Sequence, residues 1–231
     1  MATNFQIRGL LDPTKKFFYA EISKNASQKI KGVLYKEGWV DPPHVEYNDR
    51  YSFIEDKRIF CVLRNPYERY LTGFVNYIIS EDNTTRYDAT IGLCLRKLLQ
   101  HDNKLNFEIL KLAFGSGRFD FDVHTELQTS SLNLYDIDNI DSTLNLYDIN
   151  NIDYFYLNDT LGHQLTKYFQ DHNNFIPFTD TKVNTRSDED FYKSLLRDFF
   201  EHEEHMIFKE KLLNYLKPDY ELIKLVTFYD V

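Results

Sequence analysis

Lys16-Phe17-Phe18-Tyr19-Ala20-Glu21-Ile22-Ser23-Lys24-Asn25-Ala26-Ser27-Gln28-Lys29-Ile30 is the stretch whose reading decides the fold. Phe17, Phe18, Tyr19, Ala20 and Ile22 make an apolar run with Glu21 as its exception, of the length and aromatic content of an interior strand. A short polar turn follows, and Ser27 or Asn25 can cap a helix running on through Ile30, Val33 and Leu34 until Gly38 ends it. The start of a helix leaves backbone N–H groups without partners, and Lys24 adds a positive charge beside them. Such a corner is a pocket for an anion, and a phosphate-bearing ligand is its natural occupant.

Outward from there, Arg58-Ile59-Phe60-Cys61-Val62-Leu63-Arg64 is a second apolar run, and it opens into Asn65-Pro66. Pro66 fits the first turn of a helix, where its missing N–H costs nothing, and the spacing of Tyr70, Phe74, Tyr77 and Ile78 predicts that helix over Tyr67 to Ile79. Two strands that each feed a helix predict an α/β fold with a central parallel β-sheet flanked by helices. Ligands of such sheets bind at the carboxyl ends of the strands, so Lys24 and Arg64 are expected at one edge.

Composition narrows the classes. The chain has 231 residues, 42% hydrophobic and 16% aromatic, enough for a sizeable core in one domain, and no stretch rich in Gly, Pro or Ser marks a linker. With 27 Lys+Arg against 36 Asp+Glu, the net charge of −9 disfavours nucleic acid as a partner. No apolar run approaches the roughly 18 residues that a membrane span needs, and Met1 to Asp12 lacks the pattern of an export signal. Cys61 and Cys94 read as reduced core thiols, and a cytoplasmic location is the expectation.

The remaining chain reads as follows. Residues 1 to 15 are a lead-in. Thr90 to Phe114 is helical in pattern, with a break near His101-Asp102-Asn103, and Phe119 to His124 alternates like a short strand or extended arm. Leu132 to Asp141 recurs as Leu144 to Asp153 with a single difference, a duplicated 12-residue insertion around 132–153. Two copies are too few for a solenoid, and the Asp-rich text lacks the central Gly and closing Glu of a calcium loop. The second copy runs into a strand at Tyr154 to Leu157, and Leu161 to Phe169 is an amphipathic helix. Helices are expected over Phe191 to Glu204 and Met206 to Leu216, with Pro218 breaking the pattern before an apolar tail. Glu201 to His205 holds two histidines three apart rather than the four of a zincin helix, and reads as a solvated charged face.

Ile22-Ser23-Lys24-Asn25-Ala26-Ser27 after a strand, with Val62-Leu63-Arg64-Asn65-Pro66-Tyr67-Glu68-Arg69-Tyr70-Leu71-Thr72-Gly73-Phe74 further on, resembles the two nucleotide-binding signatures of sulfotransferases that use 3′-phosphoadenosine 5′-phosphosulfate (PAPS). The likeness is strongest to the carbohydrate sulfotransferases. It implies a P-loop-like sulfotransferase fold in a single domain over 1–231 and transfer of a sulfuryl group to an acceptor hydroxyl, a saccharide in the nearest relatives. By the resemblance, Lys24, Asn25, Ala26, Ser27, Gln28 and Lys29 hold the 5′-phosphosulfate. Arg64 and Thr72, eight residues apart, hold the 3′-phosphate, Thr72 standing where relatives usually carry Ser. Asn184 and Arg186, with Lys182, match a late loop that closes over the nucleotide. No metal is required in that family.

Two histidines are candidates for the base. His44 lies twenty residues ahead of Arg64, a placement similar to the base of several sulfotransferases, and His124-Thr125-Glu126-Leu127-Gln128 is similar to a His-x-x-x-Gln element of membrane-bound relatives. A neutral imidazole with a pKa of about 6.5 suits removal of a hydroxyl proton at neutral pH. Lys24 and the N–H groups of the loop then offset charge on the departing phosphate. A P-loop nucleotide kinase would share the architecture, but the Gly-x-x-x-x-Gly-Lys-Ser/Thr text is absent. A binding module without chemistry is the third reading.

Overall fold

The computed structural model describes residues 4–5, 7–43, 45–46, 50–79, 95–99, 102–132, 148–179 and 187–229. Its strands are β1 (Asn4–Phe5), β2 (Gly9–Leu11), β3 (Phe17–Ala20), β4 (Val45–Glu46), β5 (Arg58–Leu63) and β6 (Ile152–Tyr156). Its helices are α1 (Ser27–Lys36), α2 (Arg50–Ile54), α3 (Pro66–Ile79), α4 (Asn103–Gly115), α5 (Gln128–Ser131), α6 (Leu161–Asp171), α7 (Ser187–Glu201), α8 (Met206–Tyr215) and α9 (Lys217–Leu225). None of the described helices is long and apolar enough to cross a membrane. The chain divides into two compact units, the first of Met1–Arg64, Gln128–Val183 and Glu221–Val231, the second of Asn65–Leu127 and Asn184–Tyr220.

The first unit is α/β and is built on a four-stranded sheet in the order β2-β3-β5-β6. β3, β5 and β6 are parallel, with Phe18 opposite Ile59 and Cys61 opposite Tyr154. The central parallel sheet that was expected is mixed, because β2 pairs antiparallel with β3 at one edge. The lead-in therefore contains a hairpin. Its turn is held by Asp12, only 2% exposed, which accepts the N–H groups of Thr14 and Phe17 at 3.0 and 2.7 Å. Three residues of edge strand are too few to show a periodicity.

Both sheet faces are covered, which is why β5 reads as one continuous apolar run. Phe18, Ala20, Ile59, Cys61, Leu63, Ile152 and Tyr154 pack on one face with Ile54, Leu132 and Leu222. Tyr19, Phe60, Val62 and Phe155 pack on the other with Ile30 and Leu34 of α1 and Leu165, Tyr168 and Phe169 of α6. Phe60 is the centre of that second face, with the rings of Tyr19, Trp39, Phe155, Tyr168 and Phe169 within 6.2 Å of its own. Truncation of so enclosed a ring to alanine costs about 3–5 kcal/mol.

The second unit is helical. Tyr70, Phe74, Tyr77 and Ile78 of α3 bury the stripe that their spacing announced, against Leu110 and Phe114 of α4 and Leu195, Leu196, Phe199 and Phe200 of α7. Asp102 caps α4 by accepting the N–H of Leu105 at 3.0 Å, which accounts for the break in the pattern just ahead of it. Phe119 to His124 was expected as a short strand or extended arm, and the structure corrects this from Asp122 onward. Phe119 and Phe121 are buried, but the chain then turns over 122–126 because the side chains of Asp122 and Thr125 satisfy its backbone. The helix from Met206 does end ahead of Pro218, at Tyr215, but the apolar tail expected beyond it is corrected. Pro218 occupies the first turn of α9, where proline is tolerated, and the segment expected as a tail continues as that helix.

Candidate functional site

In the first unit, β3 ends at Ala20 and α1 begins at Ser27, so the six residues between them form the turn where the sequence predicts an anion-binding corner. Lys24 and Ala26 have φ of 68° and 60°, left-handed values unusual for residues with a side chain. Backbone held there costs of order 1 kcal/mol or more per residue and persists only where surrounding bonds impose it. Those bonds come from two amides. Asn25 is fully buried, and its Nδ2 donates to the carbonyl of Val62 at 2.7 Å and to Gln128 Oε1 at 2.6 Å. Gln128, equally buried, accepts the N–H of Arg64 at 2.9 Å and donates Nε2 to the Arg64 carbonyl at 3.0 Å. Gln128 thus pairs with Arg64 as a neighbouring strand would.

The consequence is that the Lys24 turn is tied to the carboxyl end of β5. Arg64 Nη1 donates to the backbone carbonyl of Lys24 at 3.3 Å. The turn and the guanidinium from two separate crossovers meet at one edge of the sheet, as the strand order requires. Neither Asn25 nor Ser27 caps α1. The capping position falls on Ala26, no side chain caps the helix, and its first turn holds no acidic residue. A left-handed residue feeding an uncapped helix start is the backbone geometry of anion-binding nests. Lys24 and Lys29 are half-buried and Gln28 is exposed, whereas the side chains of Asn25 and Ser27 are turned inward. Cys61 is no nucleophile in this edge. It is fully buried, and burial pushes its thiol well above the ordinary range.

In the second unit, Thr72 lies on α3, half-buried, with its hydroxyl donating to the carbonyl of Glu68 at 2.9 Å. A hydroxyl has one proton to give, so a bond to a phosphate oxygen requires it to leave that carbonyl. His124 belongs to the turn that replaces the expected strand. Its Nδ1 is 2.7 Å from Asp122 Oδ2, and its backbone N–H donates to Asp122 Oδ1 at 2.9 Å. An ionised carboxylate can only accept, so Nδ1 carries the proton and Nε2 keeps a lone pair in the neutral ring. The ring is about one quarter exposed and Asp122 is 8% exposed.

Further bonds hold this turn in place. The Tyr215 hydroxyl donates to the Thr125 carbonyl at 3.1 Å, and Arg69, 1% exposed, donates Nη1 to the Glu126 carbonyl. Gly73 of α3 passes so close that a Cβ there would lie 2.0 Å from the His124 carbonyl oxygen. Glycine is therefore required at position 73 for steric reasons alone.

His44, Lys182, Asn184 and Arg186 lie outside the described residues. So does most of the duplicated segment. Of its second copy, Asp148 accepts the Asn150 N–H at the head of a short 3-10 turn that leads into β6. Sequence reasoning did not select Asp122, although an Asp two residues before a candidate His is a recognisable local pairing. It singled out Gln128 only as part of a motif, without the role that the structure gives it. No family model, curated protein or solved structure matches this chain.

Proposed function

We propose that this protein is a PAPS-dependent sulfotransferase of the P-loop-like superfamily that transfers a sulfuryl group to an acceptor hydroxyl, with a saccharide as the acceptor class. The single observation that carries the reading is the union of the Lys24 turn with Arg64 through the buried Asn25 and Gln128 amides. Two cationic groups and an uncapped helix start at one sheet edge suit a nucleotide with phosphates at two positions.

In this reading the 5′-phosphosulfate lies on the Lys24 turn and the start of α1. The planar fork of Arg64 takes the 3′-phosphate. The acceptor oxygen attacks sulfur in line, an S–O bond forms, and the bond from sulfur to the bridging oxygen breaks. The electron pair stays on the departing phosphate, where Lys24 and the loop N–H groups offset it. The acceptor proton goes to a histidine. Of the two candidates, His124 is the one whose ring is oriented by a described partner, its Nδ1 lying 2.7 Å from Asp122 Oδ2. His44 is the other candidate that the sequence offers, so both are tested.

Labelled sulfate transferred from PAPS to a panel of oligosaccharides, with His124→Asn and His44→Asn alongside, is the test. The expected result is transfer that His124→Asn abolishes and His44→Asn leaves standing. Binding of adenosine 3′,5′-bisphosphate without transfer to any acceptor would leave a nucleotide-binding module. Magnesium-dependent ATP binding in its place would favour a kinase.

A further inference from the structure

The segment between α7 and α8 holds His202, Glu203, Glu204 and His205, and its geometry differs from the α-helix on which the spacing argument against a metal rests. Glu203 to His205 is a 3-10 turn with His202 at its cap. In a 3-10 turn, residues three apart eclipse one another, so histidines at 202 and 205 lie on the same side. Their rings are 5.0 Å apart, and one ligating atom from each of His202, Glu204 and His205 lies within 4.8 Å of the others.

A second observation concerns the state of His205. The residue is 1% exposed, and its Nδ1 is 3.1 Å from the carbonyl oxygen of Phe199. A carbonyl oxygen can only accept, so Nδ1 bears the proton and the lone pair sits on Nε2. This is how metal-binding histidines are held, with one nitrogen donating to a backbone carbonyl and the other presented as ligand. The ring is also clamped, stacked on Phe199 at 4.5 Å and set edge-on to Phe107 at 5.1 Å. His202 and Glu204 are exposed, and His202 Nδ1, which accepts the Glu204 N–H at 3.3 Å, gives up that bond when it becomes a ligand.

We propose that His202, Glu204 and His205 bind a divalent transition-metal ion of the zinc class, with water at the fourth position. Two imidazoles and one carboxylate are a ligand set that zinc accepts. Ligand atoms around a tetrahedral zinc are about 3.4 Å apart, so the three groups, all within 4.8 Å of one another, close by at most about 1.4 Å. The ion pins the end of α7 to the start of α8, a role independent of the sulfotransferase reading. Lys111 of α4, which pairs with Glu108 at 2.8 Å, places a positive charge near His205 and limits the affinity.

The test is titration of the full-length protein with cobalt(II), read by its visible absorption, then displacement by zinc followed by calorimetry. The expected result is one ion per chain, with zinc displacing cobalt. His202→Ala and Glu204→Gln, both at exposed positions, should each weaken zinc by at least about 10-fold, the scale at which even outer-shell partners matter. Lys111→Gln should tighten it. Absence of binding overturns the proposal, and so does binding that His202→Ala and Glu204→Gln leave unchanged.

Discussion

The turn that carries Lys24 and the turn that carries His124 solve the same problem by different means. Each is irregular backbone that must hold a side chain still. In the first unit the work falls to two buried amides from distant parts of the chain, Asn25 and Gln128, which bond backbone groups of β5 and Arg64. In the second the bonds within the turn are local, from Asp122 and Thr125, and Arg69, Tyr215 and Gly73 fix it from outside. The first arrangement couples two crossovers, so its failure should be felt as lost ligand binding. The second orients one imidazole, so its failure should be felt in turnover.

The sharpest separation comes from His124→Asn. Removal of a general base costs about 10²–10⁴ in rate, and kcat for sulfate transfer should fall within that range while the affinity for adenosine 3′,5′-bisphosphate is unchanged. Parallel losses in both would break the division of labour. Next in size is Gly73→Val, whose side chain meets the His124 carbonyl with backbone on both sides. Thermal unfolding should show a loss of about 3 kcal/mol, the upper range for overpacking. A variant as stable as the parent would mean that α3 and the turn yield more easily than their approach implies.

Gln128→Leu keeps the side-chain volume but deserts the N–H and carbonyl of Arg64 and one bond of Asn25. Unsatisfied groups of this kind cost about 1–3 kcal/mol, and denaturant unfolding should register a loss in that range together with weaker nucleotide binding. Arg64→Lys is the mildest change. It retains the charge and loses the planar fork, and Kd for the bisphosphate nucleotide should rise about 10-fold, or about 1.4 kcal/mol.

The parallel strands and α3 were legible because their signals are of the kinds a sequence carries well. Phe17 to Ala20 and Arg58 to Leu63 are apolar on both faces, and Pro66 marks the start of α3 at the residue where the helix begins. What escaped was short or was decided by side chains. Gly9 to Leu11 is too brief to announce itself, and its pairing depends on the bonds of Asp12. Phe119 to His124 has the alternation of a strand, yet Asp122 competes for the backbone and turns it. Of the candidate site, the cations at 24 and 64 could be read directly. The amides that bring their turns together could not, since a buried Gln and an exposed one look alike in sequence.

Isothermal calorimetry of the wild-type chain with adenosine 3′,5′-bisphosphate, run beside Arg64→Lys and beside ATP with magnesium, tests the central claim most directly. The account predicts one bisphosphate per chain, bound without any metal, weakened in the lysine variant and preferred over ATP. Failure to bind the bisphosphate, or tighter binding of magnesium ATP, would contradict it.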